Sequence, residues 1–332
     1  MPFVDMAITF QSDQNELIEL FTGPLTYFLP ADYRSPRRTV TCVIAPTTVL
    51  DNWPEAIKKK AKAVSTVNAM SINETTFFAT ECGMTLITEG VGSLYHSGDG
   101  NFLCLIKPPD RPLKVGETLN VLELATVLVS ETLLLTEKLL IHGGAVGTNN
   151  KCHVWTGESG SGKTTQILSQ VAKGWDFFGE DQIILGRGED SVWHVWPFWR
   201  QIRVSEETSK LFPTHQDLSI RLPNNRKKYS FDNIEEVLQV KKPGPAELTL
   251  IVKLVPGNQG IMTQLDFTAA FQHLSEGFLH SLLPNSTARV MDIFLDVIEE
   301  IPVFLVSWDM LDEFEKRQFN PFDEDHADRS SS

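Results

Sequence analysis

The chain has 332 residues, 42% of them hydrophobic and 22% charged, with 29 basic against 43 acidic side chains and a formal charge of −14. This composition supports a sizeable core and excludes disorder, collagen-like repeats and a basic surface suited to nucleic acid. The length allows one large domain or two modest ones.

The opening residues, MPFVDMAITFQSDQNE, carry neither a basic n-region nor a long apolar stretch, so no secretory leader is expected. Cys42, Cys82, Cys104 and Cys152 are widely spaced, with no C-x-x-C pair and no histidine at a metal-ligand interval. They read as buried free thiols of a reducing compartment, and the expected location is cytoplasmic. Residues 1–110 read as a small α+β accessory domain. A helix is expected near Asp13–Phe21, then strands at Thr39–Ile44, Thr75–Thr80, Met84–Thr88 and Phe102–Ile106, with turn residues between them.

A helix is expected over Leu119–Leu140, where Glu123, Thr126, Ser130 and Glu137 share one face and the remainder is apolar. Its acids and Lys138 interrupt the apolar run, so it belongs in a protein core and no membrane span is expected. Ile141-His142-Gly143-Gly144-Ala145-Val146-Gly147 ends the helical pattern, and Asn149-Asn150 suits a type I′ turn. Strand, turn and strand are therefore expected before Thr156.

Gly157-Glu158-Ser159-Gly160-Ser161-Gly162-Lys163-Thr164 matches G-x-x-x-x-G-K-[ST] throughout, and Thr165 continues it. Cys152–Thr156 alternates like a strand feeding this loop, and a helix is expected to run behind it to about Lys173, stopping at Gly174. The glycines let successive backbone N–H groups converge on phosphate oxygens, and the helix N-terminus adds positive dipole. Lys163 supplies a cation to the β- and γ-phosphates of a nucleotide, and Thr164 a hydroxyl to Mg²⁺.

Trp175-Asp176-Phe177-Phe178-Gly179-Glu180-Asp181 then delivers two acids only eighteen residues after Lys163. One carboxylate suits Mg²⁺, and a second suits the proton of an attacking hydroxyl. A strand pair turning at Gly186–Asp190 and an aromatic run, Trp193, Trp196, Phe198 and Trp199, follow. The run reads as core with one exposed face. Arg200, Arg203, Arg226, Lys227 and Lys228 are candidate phosphate or acidic-peptide contacts in an acidic chain. A strand at Leu248–Leu254, a helical region at Phe267–Ile301 and an acid-rich, frayed tail from Leu311 complete the chain.

His142-Gly143-Gly144-Ala145-Val146, the loop GESGSGKTT and the GED at 179–181 together resemble the catalytic domain of the HPr kinase/phosphorylase family, over about residues 115–300. The resemblance implies an α/β domain with a mixed sheet of the phosphoenolpyruvate-carboxykinase-like type, over 111–310, between the N-terminal α+β domain and a flexible tail at 311–332. It also implies a Mg-ATP-dependent serine kinase. By position, Lys163 and Thr164 serve phosphate and metal, Asp181 assists the metal, Glu180 stands at the catalytic base, and His142 lies near that base. Glu180 replaces the family's usual aspartate, and no Val-Arg-Gly-x-Gly type signature follows. The chain thus looks more like the divergent members, some of which phosphorylate peptide precursors. The expected partner is a serine-bearing peptide or protein, with self-association into a homo-oligomer left open. The alternatives are a kinase of a small hydroxyl metabolite such as free serine, and a nucleotide-binding regulatory module with little phosphotransfer.

Overall fold

The computed structural model describes residues 2–3, 6–12, 38–46, 62–68, 74–80, 83–88, 92–96, 101–106, 126–199, 202–205, 208, 219–221, 227–231, 238–275 and 286–319. Toward the N-terminus, β1 (Pro2–Phe3), β2 (Met6–Gln11), β3 (Arg38–Pro46), β4 (Lys62–Asn68), β5 (Glu74–Thr80), β6 (Gly83–Thr88), β7 (Gly92–His96) and β8 (Asn101–Ile106) form one sheet. Its order is β1-β2-β3-β8-β7-β6-β5-β4. The four expected strands are present as β3, β5, β6 and β8; the expected helix at Asp13–Phe21 lies outside the described residues. Strands β4 and β7, rich in polar and small residues, were not expected. Their ladders to β5, β6 and β8 make them strands, because cross-strand pairing overrides weak intrinsic preference. Cys42 and Cys104 are buried there, and burial pushes the Cys42 thiol up to about 12. Both are free, neutral core thiols.

The second sheet follows helix α1, described over 126–134. The apolar pattern led us to expect that helix to continue to Leu140, and it does not. Thr136 turns back to donate to the Leu133 carbonyl at 3.1 Å, and Glu137 adopts a left-handed φ of 59°. Lys138–His142 then forms β9, paired with β13 (Gln182–Arg187). A short apolar run reads alike as buried helix or buried strand, and here the long-range partner decides.

Strands β10 (Gly144–Thr148) and β11 (Lys151–Thr156) form the expected hairpin, with φ of 51° at Asn149 and 60° at Asn150 as a type I′ turn requires. Helix α2 (Lys163–Ala172) leads to β12 (Asp176–Gly179), and β14 (Trp193–Trp196) closes the next hairpin on β13. Strands β15 (Ile202–Ser205), β16 (Ser219–Arg221) and β17 (Lys227–Phe231) make a separate small sheet. The chain returns through β18 (Ala246–Val255), β19 (Met262–Gln264), α3 (Phe267–Ser275), α4 (Thr287–Glu300), β20 (Val303–Ser307) and α5 (Leu311–Phe319).

The main sheet runs β12-β10-β11-β18-β14-β13-β9, with β20 on β18 and β19 on β20. β11, β18 and β20 are mutually parallel, and most of the other pairings are antiparallel, so the sheet is mixed. Its two ends are joined twice by very short connections, Gly143 between β9 and β10, and Glu180-Asp181 between β12 and β13. Opposite edges must therefore come together, and the sheet curls. Neighbouring residues face opposite sides. Ala145, Val154 and Phe178 enter the core shared with α3 and α4, whereas Val146, Trp155 and Phe177 enter the core shared with α2 and α5.

The C-terminal helix corrects another expectation, because the first part of the tail is not frayed. Leu311 and Phe314 of α5 are buried, and Glu315 accepts from Gln166 and Gln170 of α2 and from Lys173 at its C-terminal cap. Partial burial opposes ionisation of Glu315, but the hydrogen bonds from Lys173, Gln170 and Gln166 outweigh it and hold the carboxyl below its usual range. Residues 320–332 lie outside the described residues. Among the described residues, no helix is long and apolar enough to cross a membrane.

His153 of β11 is 2% exposed, edge-on to Trp175 at 5.4 Å between ring centroids. Burial first, and the Lys151 charge second, push its pKa down to about 3. The folded chain keeps this imidazole neutral while the unfolded chain protonates it near pH 6.5. Stability should therefore be complete above that pH and fall progressively toward pH 3, by about 2 kcal/mol at pH 5. Denaturant unfolding at pH 7.5 and pH 5 checks this, with His153→Leu expected to flatten that part of the profile.

Candidate functional site

Two crossings of the chain build the site. At the first, β9 passes into β10 through Gly143, whose N–H donates to the Asp181 carbonyl at 3.2 Å. A Cβ on Gly143 would lie 2.9 Å from the Trp155 carbonyl oxygen, and one on Gly144 would lie 2.9 Å from that of Gly179. The adjacent glycines thus allow the two sheet ends to approach. At the second crossing Asp181 takes a φ of 73°, a left-handed conformation that aspartate tolerates better than most residues. The result places His142 beside Asp181, with Nδ1 3.3 Å from Oδ1. Thr156 at the end of β11 donates to the His142 carbonyl at 3.3 Å, which fixes the histidine's backbone.

Residues 157–162 curl between β11 and α2, with positive φ at Gly157, Gly160 and Gly162 of 141°, 85° and 94°. Lys163 is largely buried, and its Nζ folds back to donate to the carbonyls of Gly157 at 2.6 Å and Glu158 at 3.1 Å. Ser161 N–H donates to the Glu158 carbonyl at 3.0 Å, closing the loop on itself. Glu158, Ser159 and Gly160 form its exposed crest. Thr164, in the first turn of α2, donates its hydroxyl to Glu180, while Thr165 contacts the Thr208 hydroxyl at 3.0 Å.

The fold therefore brings Lys163, Thr164, Glu180, Asp181 and His142 together at one end of the curled sheet. The resemblance implies Asp181 for the metal and Glu180 as the base near His142; the contacts seen here are Glu180 with the Thr164 hydroxyl and Asp181 with His142. Among the described residues, no group of three or more His, Cys, Asp or Glu side chains is placed so that it could hold a metal ion by itself. A hydroxyl and a carboxylate are nevertheless an all-oxygen donor pair, and Mg²⁺ is commonly held by one or two carboxylates together with substrate phosphates and water. The Ser161 hydroxyl, 1% exposed and without a hydrogen-bond partner, is a further polar group inside the loop. This donor set fits a hard divalent cation with an anionic ligand.

Of the basic candidates, Arg200 and Arg226 lie outside the described residues, and Arg203, Lys227 and Lys228 are described only as backbone positions on β15 and β17. Trp193 and Phe198 are buried, and the buried Trp199 donates its indole N–H to the Phe177 carbonyl at 3.0 Å, so these aromatics are core.

Trp308, which the sequence did not point to, lies against the loop after β20 and donates its indole N–H to the Ser161 carbonyl. A Cβ on Gly162 would lie 1.9 Å from its ring. Gly162→Ala should therefore lower stability by about 2 kcal/mol or more, through the clash and the positive φ together, and denaturant unfolding measures it.

No protein-family model matches the chain, and no curated protein matches it. Among solved structures, the Hpr(Ser) kinase/phosphatase from Coxiella burnetii is similar at 10% identity, with a TM-score of 0.29, covering 55% of this chain and 94% of that one. A similarity of that size assigns neither family nor activity, and the functional reading stands on the geometry of the site.

Proposed function

We propose that this chain is a Mg-ATP-dependent kinase that transfers the γ-phosphoryl group to a hydroxyl, in first place a serine of a peptide or protein. One observation carries the proposal: the loop at the N-terminus of α2, whose sequence matches G-x-x-x-x-G-K-[ST] throughout, lies with a hydroxyl–carboxylate pair, Thr164 and Glu180, and a histidine–carboxylate pair, His142 and Asp181. The loop alone supports phosphate binding; the second carboxylate beside a histidine is what phosphoryl transfer to a hydroxyl adds.

In this reading the backbone N–H groups of the loop and Lys163 hold the β- and γ-phosphates, with Lys163 leaving the Gly157 and Glu158 carbonyls for the anion. Thr164 and Glu180 hold Mg²⁺, which when bound neutralises charge on the phosphates. Asp181, oriented by His142, accepts the proton of the attacking hydroxyl as its oxygen bonds to the γ-phosphorus and the bond to the β-bridging oxygen breaks. The products are a phosphomonoester and ADP. Residues 1–110 are proposed to be the accessory domain and 111–310 the catalytic domain.

The test is γ-labelled ATP offered with serine-containing peptides on one side and free serine on the other. Label in peptides supports the proposal, and label only in the free amino acid redirects it to a small metabolite. ATP binding with neither product nor hydrolysis makes the chain a nucleotide-binding regulatory module and overturns it.

A further inference from the structure

The segment after β20 is anchored on both sides of Trp308. Ser307 pairs with Ile261, accepting from its N–H at 2.9 Å, and its hydroxyl also donates to Asp309 at 2.5 Å. Asp309 accepts the N–H groups of Gln259 at 3.2 Å and Gly260 at 3.0 Å, which ties the segment to the loop that follows β18. The Ser307 hydroxyl first, and then these backbone N–H groups, hold the Asp309 carboxyl below the usual range. Beyond Trp308, α5 is fastened to α2 through Glu315. Trp308 is thus held by elements distinct from the phosphate-binding loop, and it approaches that loop with a donor and a flat ring.

Its partner is informative. The Ser161 carbonyl and the Gly162 N–H belong to one peptide plane, and in a trans peptide they point in opposite directions. No cis peptide occurs among the described residues. Holding the Ser161 carbonyl toward Trp308 therefore directs the Gly162 N–H away from Trp308. If that peptide flipped, a carbonyl oxygen would take the place of an N–H, and an anion in the loop would meet a negative rather than a positive group. Glycine at 162 tolerates both orientations of that peptide.

We propose that Trp308 is a positioning residue of the anion site: its indole N–H locks the Ser161–Gly162 peptide so that the Gly162 N–H is kept for phosphate. This rests on reading residues 157–164 as a phosphate-binding loop. Through Ser307, Asp309 and Glu315, the lock links anion affinity to the C-terminal segment.

The test replaces Trp308 by 3-benzothienylalanine, which keeps the shape of indole and puts sulfur in place of the N–H. Inorganic tripolyphosphate binding is measured by calorimetry on the full chain, beside thermal unfolding and the amide ¹⁵N–¹H shift of Gly162. The expected result is a weakening of tripolyphosphate binding by about tenfold, the value of one charge-assisted hydrogen bond, with unchanged melting and a displaced Gly162 amide signal. Trp308→Phe should weaken binding similarly. Tripolyphosphate binding unchanged from the parent chain in the benzothienyl variant would overturn the inference while leaving the loop's function intact. A parent chain that does not bind tripolyphosphate would overturn the reading of the loop, and this inference with it.

Discussion

Lys163→Ala should lower phosphoryl transfer from ATP by about 10³-fold or more, because it removes a cation that neutralises the developing charge on the transferred group. In the folded chain the Lys163 ammonium donates to the Gly157 and Glu158 carbonyls, so it already lies over the loop rather than in solvent. A cation so placed exchanges two carbonyls for phosphate oxygens with little movement. The loop also closes through the Ser161–Glu158 hydrogen bond and is buttressed by Trp308, so the alanine variant should still fold. Transfer of γ-label to an acceptor, measured beside thermal unfolding, separates the two effects. Unchanged transfer in the variant would remove Lys163 from the chemistry.

The second large effect distinguishes the two acids. Asp181→Asn should lower kcat by about 10²–10⁴-fold, the range lost with a general base. Asparagine is nearly isosteric and tolerates the left-handed backbone that position 181 adopts, so the loss should come without unfolding. Glu180→Gln should also slow the reaction, but raising the magnesium concentration should recover part of the rate, because Glu180 meets the Thr164 hydroxyl. The same addition should leave Asp181→Asn unimproved. Recovery in Asp181→Asn and none in Glu180→Gln would reverse the two roles. His142→Ala should resemble a milder Asp181→Asn, since His142 reaches the Asp181 carboxylate.

These assignments depend on features that local sequence does not carry. The loop, the hairpin turn at Asn149-Asn150 and the strand leading to Thr156 were legible because each rests on residue types a few positions apart. The extent of the helix before them was not. Val121–Leu140 has the composition of a buried helix, yet Lys138–His142 is taken by β13, which lies some forty residues later. The partners of Glu180 and Asp181 were equally hidden, because adjacent residues on a turn part toward opposite neighbours only once the sheet has curled. Gly143 and Gly144 foreshadowed that curl, since paired glycines mark places where backbones approach closely.

Trp308 and Glu315 left still less trace. Trp308 comes about 145 residues or more after the loop it contacts, and Glu315, as far beyond helix α2, lies in the stretch from Leu311 whose acidity suggested a frayed end. Leu311 and Phe314 were the signal there: spaced three apart on one helical face, they bury together while the acids face outward or meet α2. Charge described the surface of that segment, and its few apolar residues decided its place.

Phosphorus NMR of ATP with magnesium and a mixture of serine-containing peptides, followed in the presence of the intact chain, reads phosphoryl transfer to a hydroxyl without an intermediate assay. The γ-phosphorus signal should decline as a phosphomonoester signal grows in equal amount, with ADP as the second product. A γ-phosphorus signal that persists unchanged, or that passes wholly to inorganic phosphate with no phosphomonoester, would contradict transfer to a hydroxyl.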